Sequence, residues 1–140
     1  MKILLAVDGS DYTKKALAYL VNHEELLGRD GDLVVLNVQT PVTPRVTTMV
    51  GSSVVHEFQK EEAEKVLAPI RTFLDRHPLR YRSSWVVGNA ADEIVRAAEA
   101  EKVHLILMGT RGSGALGRVL LGSVAQRVLI DSETPVLLVK

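Results

Sequence analysis

Hydrophobic residues occur in five short runs along the chain, separated by longer segments with helical periodicity. Four runs are almost continuously apolar, as parallel strands covered on both faces are: residues 3–7 (ILLAV), 33–38 (LVVLNV), 105–108 (LILM) and 136–139 (VLLV). A fifth run, residues 81–87 (YRSSWVV), alternates between polar and apolar positions, which favours a strand at the edge of a sheet. The pattern therefore predicts five strands.

The segments between these runs carry apolar residues three or four positions apart, the spacing of one helix face. They predict helices over residues 12–27, 57–76, 91–102 and 124–130. The alternating order predicts a single α/β domain over residues 1–140, an open parallel sheet with right-handed crossovers and helices on both faces. The segment from Gln39 to Ser53 (QTPVTPRVTTMVGSS) contains two prolines and a glycine, and we predict a long mobile loop there.

Composition narrows the class of protein. The 140 residues, 46% hydrophobic and 24% charged, are typical of one globular domain. The net charge is zero, so there is no basic field for nucleic acid or for an anionic membrane. The absence of cysteine excludes disulfides and thiolate metal sites, and the four histidines lack metal-binding spacing. No apolar stretch approaches the roughly 20 residues that span a bilayer, and no signal-peptide cleavage region is visible, so we expect a cytoplasmic location.

A glycine-rich stretch, MGTRGSGALGRVLLGS (residues 108–123), follows the fourth strand and has three interpretations. Gly112, Gly114 and Gly117 match a dinucleotide fingerprint, which requires a following strand with a ribose-binding acidic residue at its carboxyl end. Only one strand follows, and the nearby acidic residues precede it. A P-loop requires lysine and then serine or threonine where Arg118 and Val119 stand. Both interpretations are rejected.

The third interpretation uses the spacing G-x2-G-x9-G-[ST], formed by Gly109, Gly112, Gly122 and Ser123. The glycines allow the backbone to approach a ligand closely, and Ser123 begins a helix whose N-terminal N–H groups suit a phosphate. The structural alternative is that Ser123 and Gln126 form a capping box and that the glycines serve a turn. A hydroxyl can cap a helix and still contact phosphate, so both interpretations stay open.

The other half of such a site should lie at the end of the first strand, because ligands of doubly wound sheets bind at the carboxyl ends of neighbouring strands. The sequence there is AVDGS, residues 6–10. Asp8 is placed to accept hydrogen bonds from ribose hydroxyls or a base amino group, unless Asp8 or Ser10 caps the first helix. An aspartyl nucleophile is disfavoured because serine, not a second carboxylate, stands two residues on.

The combination of AVDGSDYTKKAL, VVLNV and MGTRGSGALGRVLLGSVAQRVL with TPVLLV resembles the universal stress protein family from Met1 to Lys140. The G-x2-G-x9-G-[ST] spacing is typical of the family's ATP-binding branch. The resemblance implies a Rossmann-like fold with a five-stranded parallel sheet in the order 3-2-1-4-5. It also implies a homodimer formed through the last strand, Val136–Val139. An apolar strand at a sheet edge would otherwise be an aggregation hazard.

The resemblance further implies where ATP would bind. Adenine would lie beside Ala6 and the backbone of Val38, and Asp8 would contact the ribose. Asn37, where relatives often have histidine, would lie next to the adenine and influence base selectivity. The residues around the phosphates would be Gly109, Arg111, Gly112, Gly122, Ser123 and the backbone N–H of Val124.

The sequence offers no general base with an orienting partner and no carboxylate pair dedicated to Mg²⁺, so any Mg²⁺ would be held mainly by the phosphates. We therefore expect an ATP-binding, nucleotide-dependent stress-response or signalling module with at most slow ATP hydrolysis. One alternative is a dimeric stress or interaction protein whose vestigial pocket binds no nucleotide. Another is a redox module of the flavoprotein kind, which shares the general topology.

Overall fold

A computed structural model of the chain describes residues 1–112 and 120–140. Its strands are β1 (Lys2–Val7), β2 (Asp32–Gln39), β3 (Tyr81–Val87), β4 (Leu105–Gly109) and β5 (Val136–Val139). Its helices are α1 (Asp11–Asn22), α2 (Pro44–Val50), α3 (Ser52–Leu74), α4 (Ala90–Glu101) and α5 (Ser123–Asp131), with a 3₁₀ turn at Glu24–Leu26. Gly114, Gly117 and Arg118, which the rejected loop interpretations used, lie outside the described residues.

The strands form one parallel five-stranded sheet in the order β3-β2-β1-β4-β5, so the expected fold and strand order are confirmed. Successive side chains of a strand point to opposite faces. Leu4 and Leu5 therefore enter different cores, and both are completely buried. One core lies under α1 and α3, and the other lies under α4 and α5. Cores on both faces explain why the inner strands are continuously apolar.

β3 lies at one edge of the sheet, as its alternating sequence predicted. Trp85 on this strand packs against the core under α1 and α3, and its ring lies 5.5 Å from that of His56. Trp85 is therefore a packing residue. None of the helices within residues 1–112 and 120–140 is long and apolar enough to cross a membrane.

Two of the predicted helices have different bounds in the structure. The first predicted helix, residues 12–27, is interrupted at His23, whose backbone angles (φ −135°, ψ 53°) are not helical, and a separate 3₁₀ turn follows. The predicted helix over residues 57–76 begins earlier, at Ser52, and ends at Leu74. The periodicity of apolar residues located the middle of both helices correctly. It did not locate their ends, because helix ends depend on capping.

The predicted loop from Gln39 to Ser53 is wrong in its central part, which forms helix α2. The Thr43 side chain caps this helix by accepting a 3.4 Å hydrogen bond from the N–H of Val46. Pro44 occupies the first helical position, where a missing N–H costs nothing and the fixed φ favours the helix. Gly51, at φ 93°, then ends α2 and lets the chain turn into α3.

Candidate functional site

A cavity of about 580 Å³ opens at the carboxyl ends of β1, β2 and β4, against the first turns of α4 and α5. Its volume lies within the roughly 300–1,000 Å³ typical of small-molecule sites. All nine residues proposed from the sequence line it: Ala6, Asp8, Val38, Gly109, Arg111, Gly112, Gly122, Ser123 and Val124. The fold therefore brings the ends of three strands and the start of α5 together around one space.

Sequence reasoning missed seven described lining residues: Val7, Thr13, Leu36, Ala90, Ile94, Met108 and Ala125. Four of them belong to the core under α4 and α5: Leu36, Ile94, Met108 and Ala125. The alternation of β2 could have indicated Leu36, since it lies two residues from Val38 and shares its face. Ile94 could not have been found, because only the packing of α4 places it there.

Asn37 does not line the cavity, so it would not lie beside a base bound there. It lies between Leu36 and Val38 on β2, so its side chain points to the opposite face of the sheet. The side chain is 2% exposed, and its Nδ2 donates a 2.9 Å hydrogen bond to the carbonyl oxygen of Val7. Its Oδ1 accepts a hydrogen bond from Gln39 Nε2 at 2.6 Å. Asn37 therefore joins the ends of β1 and β2.

Asp8 directly follows β1, and its exposed carboxylate lines the cavity. Asp8 Oδ1 accepts hydrogen bonds from the N–H of Ser10 at 3.0 Å and from Thr13 Oγ1 at 2.9 Å. The cap of α1 is Ser10, whose Oγ accepts a hydrogen bond from the N–H of Thr13 at 3.4 Å. The open question of the cap is thus decided for Ser10, and Asp8 lies outside the helix, facing the cavity.

A side chain at each of the three motif glycines would meet a different neighbour. A Cβ on Gly109 would lie 2.5 Å from Tyr12 Cβ, so this glycine allows β4 to pack closely against α1. A Cβ on Gly112 would lie 2.5 Å from Asp8 Oδ2, so this glycine makes room for the carboxylate. A Cβ on Gly122 would lie 3.2 Å from Arg111 Cα, a tight contact inside the loop itself.

The start of α5 differs from the capping-box interpretation, which is wrong. Gly122 is the N-cap and offers no side-chain hydrogen bond, and the exposed Ser123 is already the first helical residue. The N–H of Gly122 donates a 2.7 Å hydrogen bond to the carbonyl oxygen of Thr110, which joins the two ends of the glycine loop. The first turn of α5 lines the cavity with Ser123 and Val124, so its N–H groups and positive dipole end lie at this cavity.

Positive charge lies at the same end of the cavity. Arg111 is half-buried beside Gly112, and its guanidinium carbon lies 5.5 Å from the centre of the Tyr12 ring. This cation–π contact favours a defined position for the guanidinium. Together, Arg111 and the α5 N-terminus make this end of the cavity suited to an anion.

Residues 1–112 and 120–140 contain no group of three or more histidine, aspartate or glutamate side chains that could hold a metal ion. His104 has a structural contact, since its Nδ1 accepts a 3.0 Å hydrogen bond from the N–H of Lys2 at the start of β1. Lys14 and Lys15 are exposed on the polar face of α1.

Comparison with known sequences gives a consistent result. The model of the universal stress protein family matches residues 1–140. A universal stress protein of Thermus aquaticus, named from the QAH/OAS sulfhydrylase 3′ region, is 40% identical over 141 residues, which cover 99% of this chain and 97% of that protein. Universal stress protein MJ0531 of Methanocaldococcus jannaschii is 34% identical over 142 residues, covering 99% of this chain and 81% of that protein.

Solved structures share the fold. Hypothetical protein MJ0577 of Methanocaldococcus jannaschii superposes with a TM-score of 0.83 at 29% identity, covering 99% of this chain and 94% of that chain. A universal stress protein solved in complex with cAMP has a TM-score of 0.71 at 24% identity, covering 100% of this chain and 97% of that chain.

Proposed function

The chain belongs to the universal stress protein family, and from that premise we propose that it binds ATP in the 580 Å³ cavity. We further propose that it acts as a nucleotide-dependent stress-response or signalling module. The cAMP complex of a protein with this fold is consistent with a nucleotide as the ligand class. The stronger support is the arrangement of chemistry across the cavity of this chain.

The order of the strands carries the proposal. Going across the sheet edge from β2 to β1 to β4, the cavity presents first an apolar end with Leu36 and Val38, then Asp8, then the glycine loop with Arg111 and the α5 N-terminus. Neighbouring strands lie about 4.8 Å apart, so the three regions follow one another at the spacing of groups in one small molecule. An apolar surface, a carboxylate and an anion site in that order suit a purine, a ribose and a phosphate chain.

The same lining residues support at most slow hydrolysis. Asp8 is the one carboxylate among the described residues that line the cavity, and its Oδ1 already accepts two hydrogen bonds. Apart from Asp8, none of those residues carries a side chain that acts as a general base near neutral pH, and they include no carboxylate pair for Mg²⁺. Mg²⁺, if it accompanies ATP, would be held mainly by the phosphates. Turnover at ordinary enzyme rates that is lost in Asp8→Ala would contradict this part of the proposal.

A homodimer through β5 and a cytoplasmic location belong to the same proposal. β5 lies at the edge of the sheet, and the side chains of Val136–Val139 are only half-buried. An apolar edge strand with unpaired backbone groups on one side is suited to pairing with a second copy. Sedimentation of the purified protein tests the dimer, and a monomer at micromolar concentration would contradict it.

The decisive experiment for the ligand is to denature the purified protein, identify any released nucleotide by mass, and measure ATP binding by calorimetry. Ser123→Trp should abolish binding, because the exposed first residue of α5 faces the cavity. Ser52→Trp is a matched control, since Ser52 is the exposed first residue of α3 and does not line the cavity. Both variants should unfold at the wild-type temperature.

Nucleotide-free protein that also fails to bind ATP would refute the proposal and favour the vestigial pocket. Equal ATP affinity in wild type and Ser123→Trp would place the site elsewhere. A yellow preparation with a flavin absorbance band would instead support the redox alternative.

A further inference from the structure

Thr13 is a buried polar residue in the third position of α1, and its side chain faces the cavity rather than the helix cap. It is 4% exposed and lines the cavity beside Asp8. Its hydroxyl accepts a 3.0 Å hydrogen bond from the N–H of Asp8 and donates a 2.9 Å hydrogen bond to Asp8 Oδ1. The Thr13 hydroxyl therefore contacts both the backbone and the carboxylate of Asp8.

The helix itself does not require this hydroxyl. The cap of α1 uses the side chain of Ser10 and the backbone N–H of Thr13, so any residue except proline at position 13 could supply the donor. Threonine is also a weaker helix former than alanine. The Thr13 side chain is thus explained by Asp8, not by α1.

The contacts around Asp8 restrict both oxygens of its carboxylate. Thr13 and the N–H of Ser10 hold Oδ1, while Oδ2 lies so close to Gly112 that a Cβ there would come within 2.5 Å. With the Asp8 backbone also bonded to Thr13, the side chain has little freedom to rotate. A carboxylate held in this way loses less conformational entropy when a ligand binds.

We propose that Thr13 is a positioning residue that orients Asp8 toward the hydroxyl groups of a ribose. This inference rests on the proposed function, because it assumes that a ribonucleotide occupies the cavity. Thr13 acts through Asp8 and makes its contribution only to ligands that carry sugar hydroxyls. The residue therefore favours ribonucleotides over nucleotides that lack the 2′- and 3′-hydroxyls.

The test compares ATP with 2′,3′-dideoxy-ATP in calorimetry, using wild type, Thr13→Val and Thr13→Ser. Valine has nearly the same shape as threonine and lacks the hydroxyl, whereas serine retains it. Thr13→Val should weaken ATP binding about tenfold, the scale of one hydrogen bond to a charged group. Its affinity for dideoxy-ATP should change by less than about twofold, and Thr13→Ser should resemble wild type for both nucleotides.

A double-mutant cycle with Asp8→Ala completes the test, since Thr13→Val should cause no further loss of ATP affinity in that background. Urea denaturation of every variant verifies that the compared proteins are folded. Equal losses for ATP and dideoxy-ATP in Thr13→Val would show a general distortion and overturn the inference. Unchanged ATP affinity in Thr13→Val would overturn it as well. Wild type that binds neither nucleotide would instead overturn the proposed function, and this inference with it.

Discussion

The replacement of Gly109 by alanine should destabilise the fold, although Gly109 belongs to the glycine motif of the cavity. The new Cβ would lie 2.5 Å from Tyr12 Cβ and 3.1 Å from the Tyr12 backbone carbon and oxygen. Carbon atoms in contact prefer a separation of about 3.5–4.0 Å, so β4 and α1 would have to move apart by about 1 Å. No side-chain rotation relieves the contact, because all three Tyr12 atoms are fixed by the backbone of α1.

We expect Gly109→Ala to lower the free energy of unfolding by about 2–3 kcal/mol, the upper part of the range for overpacked cores. For a domain of this size the melting temperature should fall by roughly 6–10 °C. Urea denaturation, followed by circular dichroism, measures the loss as a shift of the midpoint at constant slope.

Gly122→Ala is the matched control, since among the described residues the nearest atom to its Cβ, outside its neighbours, would be Arg111 Cα at 3.2 Å, and it should cost less than about 1 kcal/mol. Tyr12→Ala retains the Cβ and should not rescue Gly109→Ala, which distinguishes the proposed contact from a clash with the ring. An unchanged midpoint in Gly109→Ala would refute the reasoning, as would equal losses in Gly109→Ala and Gly122→Ala.

Three further predictions concern other described residues. Gly112→Ala should displace the Asp8 carboxylate, whose Oδ2 would lie 2.5 Å from the new Cβ, and weaken ATP binding about tenfold with little loss of stability. Calorimetry should show no further loss of ATP affinity when Gly112→Ala is added to Asp8→Ala, and a further loss would contradict the prediction. Burial and the 2.6 Å hydrogen bond to Asp75 raise the pKa of Tyr81, so its stabilisation is complete below about pH 10 and is lost as the pH rises through the folded-state pKa. Tyr81→Phe should therefore cost about 1 kcal/mol in urea denaturation at pH 8 and less at pH 11, and equal losses would contradict it. Lys102→Gly should stabilise the protein by up to about 1 kcal/mol, because Lys102 ends α4 in the left-handed conformation (φ 54°, ψ 45°); an unchanged or lower urea midpoint would count against this.

Most residues of the candidate site could be predicted from the sequence, because they lie at strand ends and in a motif of fixed spacing. The rule that ligands bind at the carboxyl ends of strands brought Asp8 and the glycine motif together, and both line the cavity. The contact that each residue makes could not be predicted in the same way. The contact of Gly109 with Tyr12 depends on the distance between β4 and α1. Whether Ser123 is the cap or the first helical residue depends on where α5 begins.

Local capping and strand orientation explain the remaining differences. Helix α2 was missed because its N-cap, Thr43, and its first residue, Pro44, are as typical of a loop as of a helix start. Asn37 was assigned to the wrong face because a break in an apolar run does not say which face the polar side chain occupies. Thr13 carried no signal at all, since its hydroxyl is explained only by the position of Asp8.

The sequence by itself determined the architecture: continuous apolar runs require strands covered on both faces, and the helices between them require parallel connections. These properties are encoded locally, in the period of apolar residues and in glycine spacing. The tertiary structure alone decided the shape of the cavity, the apolar end built with Ile94 from α4, and the orientation of Asp8 by Thr13. These features depend on contacts of less than 4 Å between different elements. Such contacts are set by tertiary packing, which the period of apolar residues along the chain does not predict.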